Sequence, residues 1–234
     1  MRKPLLDCLL FLLFPLILFS QVSDREIFLL KKLDSTRKTP VIASHFASLY
    51  LQTTISAVNF FEHDNDGVKK YIQRLETSFA SFFFRAAEAY RLNTEIPKPW
   101  KAYFEDTTLS RVQYQLLGIN AHINGDIWQA LTTEFTLQEM LENERAYFVF
   151  NKGLTKEYRR FYEIAIGTDP KTHLLNNISL GLSRLYGKMM MVRWRKRQVQ
   201  LAILYFSDPT RFENMLKKVQ RKMEHINNMI LHTL

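Results

Sequence analysis

Cysteine is nearly absent: Cys8 is the only one in 234 residues. It lies in an N-terminal run that reads as a signal peptide, so the mature chain is expected to hold no thiol. That excludes cysteine-nucleophile chemistry, cysteine-ligated zinc and disulfide stapling. Glycine and proline are scarce as well, at seven each. All-β sandwiches and barrels spend many such residues on turns, so the scarcity argues for helices. Strand alternation, internal repeats and low-complexity tracts are missing. So are a His-Glu-x-x-His pair, a phosphate-binding loop and a Gly-x-Ser-x-Gly elbow.

What is there begins with an apolar leader. Arg2 and Lys3 precede the run Leu5 to Phe19, which Asp7 and Pro15 interrupt. The run is short for a bilayer span and has the size of a signal h-region, with cleavage expected after Ser20. The reading is therefore residues 1–20 as leader and 21–234 as one domain, exported to the periplasm or secreted from a bacterium. An uncleaved N-terminal anchor is the alternative. Hydrophobic residues make up 47% of the chain, and 18 phenylalanines suit an aromatic core. Without disulfides, that core must hold the domain together.

Charge is unevenly placed. The formal net charge is +9. From Gly181 onward, eleven Lys and Arg face only Asp208, Glu213 and Glu224, so +8 sits in the last quarter. The leader carries +1 and residues 21–180 are neutral.

Periodicity predicts an all-α bundle of about eight helices: 24–36, 41–62, a third ending near Leu92, a central one over 109–131, then 136–152, 155–167, 172–205 and a last one from Pro209. Asp106 or Thr107 is expected to cap the central helix, Thr136 the next, and Asp208 the last, with Pro209 at its first position. Trp100, Tyr103 and Phe104 read as a short docking turn.

The central helix is the odd one. Val112, Leu116, Ile119, Ile123, Ile127 and Leu131 make its apolar face. Its middle holds Gly118, Asn120, Asn124 and Gly125, poor helix formers that cost about 1 kcal/mol per glycine against alanine. Glycines in such a place let a neighbouring backbone or a ligand come close. His122 and Asp126, four apart, share a face. Arg111, Gln115, Gly118, His122, Gly125 and Gln129 trace a polar stripe that reads as open. The sharp expectation is a catalytic or metal site in which His122 is a general base or a ligand of a divalent ion such as zinc, with Asp126 orienting it or sharing the ion. Asn120 and Asn124 would place a substrate oxygen. Two ligands do not make a site, so His45 is a third candidate, from a second polar stripe of His45, Gln52, Ser56, Asn59 and His63; Asp64, Asp66 and Glu88 are further donors. The bland alternative is a buried hydrogen-bond network that fixes helix register.

The second notable segment is 184–197. Leu182, Leu185, Met189 and Val192 give an apolar edge, while Arg184, Lys188 and Arg195, with Arg193, Lys196 and Arg197, supply positive charge. Such a helix suits an anionic lipid surface or another envelope component. Its alternative is a packed helix with a solvated basic face. No nucleic-acid recognition module is present. Asn177-Ile178-Ser179 fits the glycosylation acceptor pattern.

The run Leu116-Leu117-Gly118-Ile119-Asn120-Ala121-His122-Ile123-Asn124, followed by Asp126, resembles the core of a bacterial family filed as domain of unknown function 5995. That pattern is apolar-Gly-apolar-Asn-Ala-His-Ile-Asn, then Asp. Leu49-Tyr50-Leu51-Gln52-Thr53-Thr54 is similar to the family's tyrosine-then-threonine helix, and Trp100 falls where the family places a tryptophan. The resemblance covers residues 41–163, leaving the basic part 172–234 without a counterpart. It implies a helical fold and marks Asn120, His122, Asn124 and Asp126 as the signature, but carries no activity. Gly125 departs from the bulkier or histidine residue of the pattern, so no further ligand is implied there. A looser likeness, of spacing alone, is to helical zinc phospholipases and nucleases, which suggests a phosphodiester or phospholipid substrate. Two functions stand side by side: a metal-assisted hydrolase, and a non-catalytic binding protein of the cell envelope.

Overall fold

A computed structural model describes residues 24–61, 66–166 and 182–233. The expected leader, its cleavage point and Cys8 lie outside the described residues, as do His63, Asp64 and Asn177-Ile178-Ser179.

The described chain is all helical, in one domain. In order it forms α1 (Asp24–Lys38), α2 (Ala43–Phe61), α3 (Asp66–Arg91), a 3-10 turn Lys98–Trp100, α4 (Lys101–Phe104), α5 (Arg111–Ala121), a π-helical turn His122–Asp126, α6 (Ile127–Glu134), α7 (Leu137–Glu142), α8 (Glu144–Lys156), α9 (Tyr158–Ile166), α10 (Leu182–Ser207) and α11 (Pro209–Thr233). More segments appear than the eight expected. The π turn divides the central helix, and Asn143 divides 137–156 into two.

Local chemistry sets several boundaries. Ser110, rather than Asp106 or Thr107, caps α5. Its hydroxyl accepts from the Gln113 N–H while the Gln113 side chain accepts from the Ser110 N–H. Asp106 instead closes a turn on Thr108. Thr136 and Glu139 form the same reciprocal box at α7. Asp208 accepts from the Arg211 N–H at the start of α11, with Pro209 at the first helical position.

The axis formed by α5, the π turn and α6 runs through the middle, with α2, α3, α10 and α11 packed around it. Two apolar clusters meet on that axis. One gathers Phe46, Tyr50, Phe83, Trp100 and Tyr103. The other gathers Leu75, Phe79, Ile127, Tyr147 and Val199. The supposed open stripe of the central helix is in fact buried at Gln115, Gly118, His122 and Gly125. A helix surrounded on all sides has no open face.

The glycines do permit close approach, but by the protein's own rings. A Cβ on Gly118 would stand 2.4 Å from Phe46, and one on Gly125 would stand 2.4 Å from Pro99. The first lets α2 lie against α5; the second lets the 3-10 turn reach the π turn. No helix among the described residues is long and apolar enough to cross a membrane.

Candidate functional site

The π turn widens the helix at His122–Asp126; such turns occur often at functional sites. Within it, His122 Nδ1 lies 2.9 Å from Asp126 Oδ2. The same oxygen accepts the indole N–H of Trp100 at 3.0 Å. Pro97 and Pro99 shape the turn that carries Trp100, and Gly125 leaves room for Pro99. Oδ2 accepts from Trp100, and with Asp126 ionised it accepts from the Nδ1–H tautomer of His122 as well. Nε2 then carries the lone pair.

The imidazole is tightly held. Phe79 stacks on its face, with centroids 3.4 Å apart and planes 11° apart. Tyr50 meets it edge-on at 4.5 Å and Phe46 at 5.4 Å. His122 is 4% exposed and Asp126 1%. Burial pushes the imidazole well below its ordinary pKa, and the positive charge of Arg195 adds to this. Burial raises the Asp126 carboxyl, which the Trp100 hydrogen bond partly offsets. The ring is therefore neutral across the neutral pH range.

Nε2 of His122 is buried and has no hydrogen-bond partner. It is not alone. The Tyr50 hydroxyl, the Thr54 hydroxyl, the Trp194 indole N–H and both ends of the Gln115 and Gln198 carboxamides are also buried and unpaired. Helical spacing relates them: Thr54 follows Tyr50 by one turn, Gln115 precedes His122 by two, and Gln198 follows Arg195 by one. Arg195 and Glu76 complete the group. The field of Arg195 is felt by His122, Tyr50, Glu76 and Tyr147. Burial lifts the half-buried Glu76 carboxyl to about 7.

Each buried side chain left unpaired costs about 1–3 kcal/mol. Six of them amount to roughly 6–18 kcal/mol, as much as a whole domain's stability. Such an interior persists only if water or a polar ligand fills the space beside these groups. These unpaired groups sit on α2, on α10 and on the central helix that carries His122 Nε2. From outside, a surface cleft of about 750 Å³ reaches Asp126 between Arg85, Pro99 and Gln129.

The family of unknown function DUF5995 matches residues 29–233. The chain belongs to that family. No curated protein matches it, and no solved structure does. DUF5995 therefore extends over α10 and α11 and is not limited to residues 41–163; the basic C-terminal part is family sequence too.

In this DUF5995 chain only part of the expected site converges. His122 and Asp126 meet. His45 does not join them: it stacks on Tyr114 at 4.9 Å near the start of α5 and lies beside Arg111. Glu88 is exposed and paired with Arg91. Among the described residues no three His, Cys, Asp or Glu side chains gather as a ligand set, so the set His122, Asp126 and His45 does not assemble. Asn120 turns to α11, and Asn124 turns to Asn120. Asn120 Nδ2 donates to Met223 O at 3.0 Å and Asn227 Oδ1 at 2.7 Å, while Asn124 Nδ2 donates to Asn120 Oδ1 at 2.8 Å. Asn120 clamps two helices, and Asn124 holds Asn120 in place.

The basic helix needs a similar correction. Arg195 is 5% exposed, bonded through Nε to Asn151 Oδ1, and lies inside the bundle rather than on a basic edge. Arg193 and Lys196 are exposed, Lys188 and Arg197 half-exposed.

The sequence reading passed over Tyr50, Thr54, Glu76 and Gln198. A signal for Glu76 exists: it occupies a core position of α3, between Ile72, Leu75, Phe79 and Phe83. A carboxylate on an apolar stripe is costly unless something uses it.

Proposed function

We propose that this protein is a hydrolase-type enzyme in which Asp126 orients His122 as general base. The observation that carries this reading is the free Nε2 of a buried imidazole whose other nitrogen is held by a carboxylate. Asp126 fixes the tautomer and stabilises the imidazolium that forms when Nε2 takes a proton from a water or hydroxyl nucleophile. The stack on Phe79 and the edge of Tyr50 keep the ring from rotating. The unpaired hydroxyl of Tyr50, whose ring meets the imidazole edge-on, is a further donor. The depressed pKa of the ring keeps it unprotonated and ready at neutral pH. This reading keeps the protein outside the cytoplasm on the leader-like residues 1–20 alone.

The test is a hydrolysis screen of ester and phosphodiester substrates, comparing wild type with His122→Gln and Asp126→Asn. Activity should fall by at least about 100-fold in His122→Gln. A wild type that hydrolyses nothing above the His122→Gln background refutes the reading. Nitrogen NMR of the ring offers a check that needs no substrate: a proton found on Nε2 at pH 7 refutes the base assignment.

One observation favours a second reading. Met189 and Val192 are each 42% exposed on α10, close in sequence to exposed Arg193 and Lys196. An apolar edge beside positive charge suits contact with anionic lipid. Sedimentation with vesicles containing anionic lipid measures it; binding that ignores both lipid charge and salt rejects it.

A further inference from the structure

Three residues of the π turn, Asn124, Gly125 and Asp126, line the surface cleft. Its volume of about 750 Å³ lies within the roughly 300–1,000 Å³ of small-molecule sites. Distant segments meet on its wall: Arg85 comes from α3, Pro99 from the 3-10 turn, Trp128 from α6, Tyr205 from the end of α10 and Gln220 from α11.

The charge on that wall is one-sided. The guanidinium carbon of exposed Arg85 lies over the Phe82 ring, 4.1 Å from its centre. A guanidinium resting on an aromatic face keeps its N–H edge for another partner. Among the described residues Arg85 has no carboxylate within ion-pair distance. Lys98, the other cation of the lining, is tied to Glu224 at 3.3 Å. Asp126 is the one acid among the described lining residues, and its Oδ2 already meets Trp100 and His122. Burial raises that carboxyl; the Trp100 hydrogen bond and the charge of Arg85, which is close enough to be felt there, oppose the rise. The same cleft carries an aromatic pair. The rings of Trp128 and Tyr205 have centroids 6.2 Å apart, with Trp128 half-buried and Tyr205 47% exposed. Accessible rings beside an unpaired guanidinium offer one place for a flat or apolar body and another for its charge.

We propose that this cleft binds a small organic anion, with a planar or apolar body against Trp128 and Tyr205 and a carboxylate or phosphoryl group on Arg85. The fork of the guanidinium suits two oxygens of one such group, which makes Arg85 the recognition residue. The site goes beyond the reading of His122 as a base and does not depend on it, since the imidazole is not part of the cleft lining.

The experiment is NMR titration of the full chain with phenyl phosphate in one arm and benzoate in the other, at constant ionic strength, with uncharged benzamide as the control. The indole N–H signal of Trp128, assigned by its loss in Trp128→Phe, reports occupancy of the cleft. One of the two anions should move that signal saturably, at a Kd of about 1 mM or tighter, and benzamide should bind at least about tenfold more weakly. Which anion binds tells carboxylate from phosphoryl recognition. Arg85→Gln should weaken binding by about tenfold and Tyr205→Ala by about threefold or more. Both positions are exposed, so these variants keep the fold. The proposal is overturned if neither anion shifts the Trp128 signal saturably, if benzamide binds as tightly as the anions, or if either variant binds as wild type does.

Discussion

Replacing Gly118 with alanine tests how α2 is seated on the central helix. In an exposed helix the change would stabilise, by about 1 kcal/mol, because alanine loses less backbone freedom. Here the new Cβ would meet Phe46 Cδ2 at 2.4 Å, Cγ at 2.6 Å and Cβ at 3.0 Å. Rotating the ring relieves only the first two contacts, since the third lies next to the α2 backbone. The ring is also hemmed in by Phe83 at 5.1 Å, Trp100 at 5.4 Å and His122 at 5.4 Å between centroids. Relief therefore requires α2 itself to move by roughly 1 Å, an overpacking that costs about 1–3 kcal/mol. The propensity gain offsets part of this, leaving a net loss of about 1–2 kcal/mol. Tyr50 rides on the same helix, so its contact with the imidazole shifts too. Urea unfolding of Gly118→Ala, with the m-value checked against wild type, measures the change. A variant about 1 kcal/mol more stable than wild type would refute the close packing of Phe46 on Gly118.

Two further predictions follow from the interior. Because burial holds the Glu76 carboxyl at about 7 rather than 4.5, the folded state keeps a proton that the unfolded state has released across that window. This contribution is present below the lower value and lost as pH rises through the upper one, by roughly 3 kcal/mol. Glu76→Gln should therefore gain stability relative to wild type between pH 5 and pH 8; the depressed His122 acts in the opposite sense below its ordinary value, but equally in both proteins. Parallel stability curves would contradict the carboxyl's burial. At the other end of the central helix, Asn120→Ala leaves Met223 O and Asn227 Oδ1 without their donor and should cost about 1–3 kcal/mol. A double-mutant cycle with Asn227→Ala should show a coupling of at least about 0.5 kcal/mol, and strict additivity would mean that the clamp does not bear load.

Most of the architecture was legible because apolar residues recur at helical spacing and proline, threonine and aspartate punctuate them. Thr136, Asp208 and Pro209 do at their helix ends what their chemistry predicts. The π turn was not legible, since a single widened turn barely alters the spacing of Ile119, Ile123 and Ile127. The glycines were read correctly as points of close approach, but which group approaches depends on chain segments 72 and 26 residues away, at Phe46 and Pro99. Arg195 was placed on the wrong side for a different reason. Apolar residues occur all round α10, so nothing local distinguishes the exposed Met189 and Val192 from the buried Val199 and Ala202. Tertiary packing alone chooses that face. His122 and Asp126 were found because a four-residue spacing needs no knowledge of the rest of the chain.

The clasp between the central helix and α11 bears on how the molecule is made. Gln113 donates to the carbonyls of Ile230 and Leu231, and Asn120 to that of Met223, across more than a hundred residues of sequence. During synthesis those amides leave the ribosome long before their acceptors exist. A nascent chain halted ahead of Pro209 carries a central helix with one flank bare, suited to chaperone capture. Fusions or deletions that disturb the final twenty-five residues should therefore damage the interior before they alter any surface.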